Sequence, residues 1–382
     1  MVRSRLDSVK IAIISTMSGS AWGGSEELWA AMAMEALEAG LDVAVSVYDW
    51  PSMPPKLLDL EQRGARVFRR ALQQRRGFFE RVLRRLTFPS WKIMSFEPDV
   101  FCISQGGTFD SLSVDDIVSV LYGSGKPYIV ICHSNSEGHV PDDSLRRAAR
   151  EFFLRARSVL FVSQRTLAIT ERQLASTLDN ALVVRNPVNL FELSPVLWPS
   201  SATPCLASVG YLQATLKGQD VLLDALGREV WRRRDWRLRL YGEGLDRGYL
   251  EALAQHYGIS ERIGFMGYVS DVRAIWGENH CLVLPSRVES APLVLVEAML
   301  CGRPSVVTDV GGIREWVEDQ QTGFIADAPT ARSFGEALER AWIARADWKR
   351  IGLEARKSAL SKVDLSAGRK LLDIILDGAR SG

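Results

Sequence analysis

Two glutamates stand eight residues apart where a short apolar run gives way to a helical pattern. Glu289 precedes the predicted helix, Pro292 suits the first helical position, and Glu297 falls in the second turn. Free amides at the start of a helix attract an anion, and carboxylates accept hydrogen bonds from sugar hydroxyls. This spacing suits a ligand in which a diphosphate joins two hydroxyl-bearing groups. A capping glutamate followed by a glutamate at the edge of the core is the alternative interpretation.

A lysine and a pair of glycines supply further groups suited to phosphate. Lys217 lies between a predicted strand and a predicted helix, with Gly218 beside it. A lysine at the start of a helix opposes the helix dipole, and a bound phosphate would relieve that conflict. Gly311 and Gly312 follow another predicted strand and would let the backbone approach a ligand closely. A solvated surface lysine is the alternative for Lys217.

Two positions in the first half of the chain also follow predicted strands. Gly23 and Gly24 precede a helix whose N-terminus favours an anion. His133 ends a buried apolar run, and a neutral histidine there could donate a hydrogen bond to a hydroxyl or a developing oxyanion. An ordinary loop and a structural histidine are the respective alternatives.

Composition and spacing exclude several other classes of protein. The 382 residues are 47% hydrophobic and 24% charged, which excludes a disordered or fibrous chain, and the formal net charge of +1 is no footprint for nucleic acid. No apolar run reaches the roughly 18 residues of a membrane-spanning helix. The glycines from Gly242 to Gly248 are spaced one residue too widely for a dinucleotide-binding loop. The five cysteines show no metal-binding spacing, so we expect buried thiols in a reducing compartment.

The elements that must position these side chains alternate between short apolar runs and helical patterns. None of the apolar runs alternates strictly, which indicates strands buried on both faces of parallel sheets. We predict strands at 10–15, 42–48, 100–104, 128–132, 159–162, 206–210, 238–241, 262–265, 281–284 and 305–308. We predict helices at 25–39, 218–230, 248–256, 270–276, 292–301, 330–346 and 366–376. A proline-containing break near 186–201 separates two doubly wound α/β domains, whose ligands would bind beyond the carboxyl ends of the strands.

In their order along the chain, these motifs resemble those of the retaining, nucleotide-sugar-dependent glycosyltransferases of family 4. The resemblance is sharpest from 205 to 325, and it rests on Gly23-Gly24, His133, Lys217-Gly218, the Glu289/Glu297 pair and the segment 311–315. It implies the GT-B fold, an α/β architecture in which two doubly wound Rossmann-like domains face a cleft. The corresponding domains are an N-terminal acceptor-binding domain at 1–190, a linker at 191–204, a C-terminal donor domain at 205–365, and a C-terminal helix at 366–382 that can cross back to the N-terminal domain.

The resemblance also implies roles for individual residues. Lys217 would pair with the donor diphosphate, and Glu297 would bind the ribose hydroxyls. The catalytic positions would be His133, against the sugar at the reacting face, and Glu289, in contact with the transferred sugar. Further donor contacts would come from Gly23, Gly24, Ser290, Ala291, Pro292 and Leu293. No metal ion or other cofactor is expected, because basic side chains and helix dipoles would stabilise the leaving diphosphate.

Two positions depart from the family's pattern. Tyr211 stands six residues before Lys217, where the family usually has arginine, so one positive charge on the diphosphate is missing. Arg287 and Arg314 are candidates to replace that charge, and Gly311 and Gly312 are candidate neighbours of the donor. Ser290 stands where the family usually has glycine, and we expect its small side chain to be tolerated.

A basic segment at 63–92 is a candidate contact with an anionic membrane. Its basic residues are Arg63, Arg66, Arg69, Arg70, Arg75, Arg76, Arg81, Arg84, Arg85 and Lys92. Phe78, Phe79, Val82, Leu83 and Leu86 form one helical face in the same segment. Such a segment can lie on a membrane or bind an acceptor's phosphate, and a core-facing helix with a solvated basic back is the alternative. The resemblance favours the membrane, because many relatives extend lipid-linked glycans on the cytoplasmic face.

These observations together predict a retaining, metal-independent hexosyltransferase. The donor would be a nucleotide-sugar carrying UDP or GDP, and the acceptor a glycan or a lipid-linked glycan in cell-surface polysaccharide or glycoconjugate synthesis. We expect a cytoplasmic protein, peripheral on the inner face of the cell membrane, with no nucleic-acid partner. A non-catalytic GT-B binding or regulatory protein, favoured by Tyr211, and a nucleotide-sugar epimerase are the alternatives.

Overall fold

The computed structural model describes residues 9–71, 89–113, 116–190 and 192–380 of the chain. The chain divides into two compact units, here called unit 1 (Met1–Pro187 with Asp364–Gly382) and unit 2 (Val188–Val363). The segment 192–204, which the sequence analysis assigned to a linker, therefore counts with unit 2.

Among the described residues, unit 1 contains a parallel sheet of seven strands in the order β3-β2-β1-β4-β5-β6-β7. The strands are β1 Lys10–Ser15, β2 Asp42–Asp49, β3 Arg66–Ala71, β4 Val100–Gly107, β5 Tyr128–Ser134, β6 Ser158–Phe161 and β7 Ala181–Val183. The central strands are apolar on both faces because helices cover both sides of the sheet. The strand order reverses between β1 and β4, and ligands of such sheets bind at the carboxyl ends of the strands beside this point.

The helices of unit 1 include the last helix of the chain. They are α1 Gly24–Glu38, α2 Pro55–Gln62, α3 Asp110–Ser113, α4 Ile117–Ser124, α5 Asp143–Arg155, α6 Gln164–Leu174 and the C-terminal helix Ala367–Arg380, with a 3-10 helix at Pro89–Phe96. The C-terminal helix packs against α1 and buries Leu371, Leu372 and Ile375. Gly368 allows this close approach, because a Cβ atom there would lie 2.7 Å from the backbone carbon of Ala31.

Unit 2 contains, in its described part, a parallel sheet of six strands in the order β10-β9-β8-β11-β12-β13. The strands are β8 Cys205–Val209, β9 Arg237–Tyr241, β10 Ile263–Gly267, β11 Cys281–Leu284, β12 Ser305–Thr308 and β13 Phe324–Ala326. The helices are α7 Ala214–Lys217, α8 Gln219–Gly227, α9 Glu229–Arg232, α10 Arg247–His256, α11 Val272–Glu278, α12 Leu293–Leu300, α13 Ile313–Trp316, α14 Ala331–Ile343 and α15 Trp348–Lys362, with 3-10 turns at Ser260–Arg262 and Arg345–Asp347. Here the strand order reverses between β8 and β11, so the loops after these two strands border the expected ligand site.

The predicted strands are confirmed, most of them to within one or two residues, because buried parallel strands are continuous apolar runs. Three strands were not predicted: β3, β7 and β13. All three are edge strands of the described sheets, and Arg66 and Arg69 of β3 are exposed. Pro292 was expected at the first helical position, but it is the extended N-cap residue of α12.

The structure bears on the basic segment at 63–92 only in part. Residues 72–88, which include all the apolar residues of the predicted face and five of the arginines, lie outside the described residues. The inclusion of Arg70 in a basic surface is wrong, because its side chain is buried, donates a hydrogen bond to the Ser15 carbonyl, and lies 4.6 Å from the centre of the Tyr48 ring. Arg63, Arg66 and Arg69 are exposed.

The five cysteines are buried and form no disulfide. Burial raises the pKa of Cys102 to about 12 and that of Cys301 to about 11, so these thiols stay protonated at neutral pH. In the part of the chain that the structure describes, no helix is long and apolar enough to cross a membrane.

Candidate active site

Lys217 ends a short helix that lies against the carboxyl end of the unit 2 sheet. It is the last residue of the short helix α7, and Gly218, with a φ of 67°, connects it to α8. A Cβ atom at position 218 would lie 2.1 Å from the carbonyl oxygen of Pro285, the residue that follows β11. Only glycine fits here, so the backbone beside Lys217 is pressed against the end of the central strand.

Glu289 accepts hydrogen bonds from two side chains at this strand end. Lys217 Nζ lies 2.6 Å from Glu289 Oε1, and Ser286 Oγ donates to the same oxygen over 2.9 Å. The Glu289 side chain is 8% exposed, whereas that of Lys217 is 28% exposed. The pair therefore places an accessible ammonium group beside a buried carboxylate, at the sheet edge where a ligand is expected.

The segment after Glu289 leads directly into α12, and the loop after β12 packs against it through Gly311 and Gly312. Gly311, with a φ of 52°, lies so close that a Cβ atom there would be 1.8 Å from the Glu289 carbonyl oxygen. The Gly312 amide donates to the Ser290 carbonyl over 2.7 Å. The Ser290 side chain is buried, and its hydroxyl has no hydrogen-bond partner among the described residues. The two glycines thus fix the backbone just before the positive end of the α12 dipole.

Glu297 lies in the second turn of α12 and is 6% exposed. Its neighbours along the helix are apolar and belong to the core of unit 2. A carboxylate kept at such a position requires polar partners, since burying it unpaired would be costly. Ala291 and Leu293 flank the N-cap Pro292, so the predicted donor residues 289–293 run from the loop after β11 into the first residue of α12.

The candidates to replace the missing arginine charge are both already paired with carboxylates. Arg287 makes two hydrogen bonds to Asp220, over 2.7 and 2.8 Å. Arg314 donates to Asp309 over 2.6 Å. Tyr211 itself is 41% exposed on the loop after β8. Of the three predicted cationic side chains, Lys217 is the one whose partner, Glu289, also belongs to the predicted donor site.

His133 lies near the carboxyl end of β5 in unit 1. The register pairs its neighbours Cys132 and Ser134 with Gln105 and Gly107 of β4. The side chain is 8% exposed, and neither ring nitrogen has a hydrogen-bond partner among the described residues. Burial lowers the pKa of His133 to about 3, so the imidazole is neutral at physiological pH and can both donate and accept a hydrogen bond.

Gly23 and Gly24 lie at the start of α1 in the same unit. Gly23 is the extended N-cap residue, and a Cβ atom there would lie 3.1 Å from Met17 Cε. Gly24 is exposed. The loop between β1 and α1 therefore places a helix N-terminus at the carboxyl edge of the unit 1 sheet. The first turn of this helix carries Glu26 and Glu27, whose carboxyl groups oppose the binding of an anion there.

Two acidic residues near these positions escaped the sequence analysis. Asp110 accepts hydrogen bonds from Thr16 Oγ1 over 3.0 Å and from the Gly107 amide over 2.7 Å, which joins the ends of β1 and β4, and burial raises its pKa. Glu26, in the first turn of α1, is buried, and burial raises its pKa to about 7. No motif marks Asp110. For Glu26 the signal was available, because an acidic residue three positions before a buried tryptophan, Trp29, faces the core side of its helix.

Of the predicted donor residues of unit 2, Lys217 and Gly311 contact Glu289, and Gly312 contacts the adjacent Ser290. His133, Gly23 and Gly24 belong to unit 1.

Comparison with known proteins finds a family match for the segment that carries Lys217 and Glu289. Residues 203–343 match the family model described as glycosyl transferases group 1. An uncharacterized glycosyltransferase from Haemophilus influenzae is 29% identical over 42% of this chain and 45% of its own length. An alpha-D-kanosaminyltransferase from Streptomyces kanamyceticus is 30% identical over 36% of each chain. The matched segment thus spans less than half of the length of these curated relatives.

Solved structures extend the likeness to nearly the whole chain. A glycosyltransferase from Rickettsia africae ESF-5 superimposes with a TM-score of 0.75 at 15% identity, covering 98% of this chain and 100% of that one. Anabaena HepE in complex with UDP-glucose superimposes with a TM-score of 0.73 at 18% identity, covering 96% of this chain and 99% of that one. The fold is therefore GT-B, the two-domain architecture of one class of glycosyltransferases. The match to the glycosyl transferases group 1 model covers residues 203–343, which lie within unit 2.

Proposed function

We propose that the protein transfers a hexose-type sugar from a nucleotide-sugar donor to a glycan or lipid-linked acceptor, with retention of the anomeric configuration. The contact between Lys217 and Glu289 carries this proposal, because it joins a cation suited to phosphate with a buried carboxylate suited to sugar hydroxyls. The match of residues 203–343 to the family model described as glycosyl transferases group 1 supports it. So do the UDP-glucose named with the HepE structure and the kanosaminyl group in the name of the Streptomyces relative.

The donor would lie along the carboxyl edge of the unit 2 sheet. Lys217 and the N-terminus of α12 would hold the diphosphate, and the backbone at 290–293 would follow the transferred sugar. Glu297 would accept hydrogen bonds from the ribose hydroxyls. Glu289 would accept them from the sugar, in place of the one it now receives from Lys217.

The reaction would break the bond between the anomeric carbon and the leaving diphosphate oxygen while the acceptor hydroxyl bonds to the same carbon from the same face. The leaving phosphate would take the proton of that hydroxyl. Lys217 and the α12 dipole would stabilise the charge that develops on the diphosphate, without a metal ion. The low pKa of His133 keeps its ring neutral, and the one N–H of the neutral ring would donate a hydrogen bond to the sugar.

The setting of the reaction is also part of the proposal. We place the enzyme in the cytoplasm, peripheral on the inner face of the cell membrane, and in cell-surface polysaccharide or glycoconjugate synthesis. Arg66 and Arg69 of β3 are exposed, so their positive charges are accessible to an anionic membrane surface. This supports such a surface as a partner of the segment 63–92.

A thermal-shift panel of UDP, GDP, ADP and dTDP, with and without Mg²⁺, tests the donor site. A ligand that binds only the folded state raises the melting temperature, by about 2–4 °C when it is present well above its Kd. We expect a shift with one nucleotide, independent of Mg²⁺, that is lost in Glu297→Gln. The matched control is Glu336→Gln, which removes an exposed charge from α14 and should leave the shift unchanged.

The same panel decides between the enzyme and a binding protein that has lost turnover. Tyr211 and the pairing of Arg287 and Arg314 with carboxylates favour that alternative. The absence of a shift with every nucleotide would support it and contradict the proposed donor site. Isomerised sugar formed from the donor alone would instead identify an epimerase.

A further inference from the structure

The helix that carries Lys217 is too short to fix its own position. α7 contains four residues, and its N-cap residue Gln213 makes no side-chain hydrogen bond to it. A single helical turn is unstable alone, because the conformational cost of nucleating a helix exceeds the gain from one turn of hydrogen bonds. The place where Lys217 holds its ammonium group therefore depends on the contacts that other segments make with α7.

Arg287, in the loop after β11, contacts α7 at two points. Its Nη1 atom donates a hydrogen bond to the Ala214 carbonyl oxygen over 2.6 Å, and its backbone amide donates to the Leu216 carbonyl oxygen over 2.8 Å. These are the first and third of the four residues of the helix. The Ala214 amide donates to Asp246 over 2.7 Å, which holds the start of α7. Arg287 therefore connects the part of the helix next to Lys217 to the end of β11.

Asp220, in the first turn of α8, fixes the guanidinium group of Arg287. Its two carboxylate oxygens accept hydrogen bonds from Nη1 and Nη2 over 2.7 and 2.8 Å. Such a bidentate contact sets the plane of the guanidinium group as well as its position. The Arg287 and Asp220 side chains are 32% and 23% exposed, so water screens their attraction less than it would on the open surface. Nη1 thereby stays aligned with the Ala214 carbonyl oxygen.

The contact with Asp220 leaves Arg287 poorly suited to supply the phosphate charge that is missing at Tyr211. A phosphate group would have to compete with the carboxylate for the same Nη atoms, and the carboxylate offsets the positive charge at longer range. The loop after β11 nevertheless acts on both ends of Lys217. Arg287 holds the helix that carries the lysine backbone, and Glu289, two residues later, accepts a hydrogen bond from the lysine Nζ atom over 2.6 Å.

We propose that Arg287 and Asp220 are positioning residues for Lys217, which hold α7 so that the lysine ammonium group is in place before the donor diphosphate binds. This inference rests on the proposed function, since that function makes the diphosphate the ligand of Lys217. A cation that is already held in place loses less conformational entropy on binding. Loosening α7 should therefore weaken diphosphate binding, and it should do so only while the lysine is present.

Isothermal titration of UDP, GDP, ADP and dTDP into Arg287→Lys tests this role. Lysine keeps the positive charge, but it lacks the planar fork that contacts Asp220 and the Ala214 carbonyl together. We expect the Kd of the nucleotide that binds wild-type protein to rise about tenfold. A direct contact between Arg287 and phosphate predicts instead a Kd within about twofold of wild type, because lysine is itself a good phosphate ligand.

A second variant, Asp220→Asn, separates the two roles of Arg287 more sharply. The amide holds the guanidinium group less firmly and no longer offsets its charge. A positioning role predicts a Kd about fivefold higher than that of wild type. A phosphate-binding role predicts an unchanged or lower Kd, because Arg287 would be released towards the ligand. That second result would overturn the proposal.

The Lys217→Met background shows whether the effect passes through the lysine. Lys217→Met alone should raise the Kd about thirtyfold. Adding Arg287→Lys should then change the Kd by less than about twofold, whereas independent effects would multiply. The matched control is Arg239→Lys, because the Arg239 side chain is 30% exposed and donates to both the carbonyl and the carboxylate of Glu278. It should leave the Kd within about twofold of wild type.

Hydrogen exchange measures the loosening of α7 directly. Exchange in Arg287→Lys should be faster across 213–218 and unchanged in β9. Unchanged exchange across 213–218, a Kd within about twofold of wild type in Arg287→Lys, or the same rise in Kd with and without Lys217 would each overturn this inference alone. A wild-type protein that binds none of the four nucleotides would contradict the proposed function as well.

Discussion

Lys217 and Glu289 compensate each other's charge through their direct contact of 2.6 Å. A nucleoside diphosphate that takes Lys217 leaves the buried Glu289 carboxylate with Ser286 as its remaining described partner. That loss opposes binding, because a buried charge needs a partner. A nucleotide-sugar carries hydroxyls that can replace the lysine, so the complete donor avoids the loss. The pair would therefore favour the donor over the spent nucleotide.

We expect Glu289→Gln to reverse this preference. The uncharged amide no longer needs Lys217, so the free nucleoside diphosphate should bind about threefold tighter. The nucleotide-sugar should bind more weakly than it does to wild type, and kcat should fall about a hundredfold or more. Isothermal titration with both ligands measures the two affinities. An equal change in both Kd values would mean that Glu289 does not distinguish them.

Glu26 should make the stability of unit 1 depend on pH. Its pKa is raised from 4.5 to about 7, chiefly by burial and to a smaller extent by the charge of Glu27. Hydrogen bonds from Trp29 and Ser15 and the charge of Arg70 lower it, but not enough to cancel the rise. The folded state therefore keeps a proton that the unfolded state loses above about pH 4.5. This contribution to stability is complete below that pH and is lost as the pH rises through about 7.

Urea unfolding of wild type and Glu26→Gln at pH 5 and pH 8 measures this effect. We expect wild type to lose up to about 3 kcal/mol relative to Glu26→Gln between the two pH values. Glu38→Gln, an exposed change on the same helix, should follow wild type. A constant difference between wild type and Glu26→Gln would mean that Glu26 stays ionised throughout.

The strands differ in how far the sequence could reveal them. Strands such as β11 and β12 are covered on both faces and appear as unbroken apolar runs, so they were predicted to the residue. β3 borders solvent and reads Arg-Val-Phe-Arg-Arg-Ala, which no apolar pattern marks. β7 and β13 are three residues long, which is too short for an apolar run or an alternation to indicate a strand.

The site was predictable by residue type and only partly by contact. The positions of Lys217, Glu289 and Gly311 at strand ends follow from the strand pattern. Their contacts do not, because 72 residues separate Lys217 from Glu289 and the sheet order alone brings them together. The pairing of Arg287 with Asp220 could not be predicted either, because the sequence does not indicate which acidic residue an arginine contacts in the folded chain.

The two units of the molecule do not correspond to two halves of the chain. Unit 1 is completed by Asp364–Gly382, which follow all of unit 2. The fully buried Leu371 of the C-terminal helix belongs to the same hydrophobic core as Leu28 and Trp29 of α1. The first unit therefore depends on residues from the far end of the chain.

Truncating this buried leucine should destabilise one unit selectively. We expect Leu371→Ala to lower the free energy of unfolding of unit 1 by about 2–5 kcal/mol, because it leaves a cavity in that core. Hydrogen exchange followed by peptide mass spectrometry should show faster exchange in β1 and α1 and unchanged exchange in unit 2. Leu338→Ala, equally buried in the core of unit 2, should give the opposite pattern. Parallel loss of protection in both units would mean that they unfold together.

The return of the C-terminal helix to unit 1 also sets an order of events on the ribosome. The segment from 364 onward is synthesised after the whole of unit 2. Until that segment is released, the face of α1 that receives Leu371 and Leu372 has no cover, and its apolar side chains meet solvent or a chaperone. The unit that is translated first therefore completes its hydrophobic core only after all of unit 2 has been synthesised.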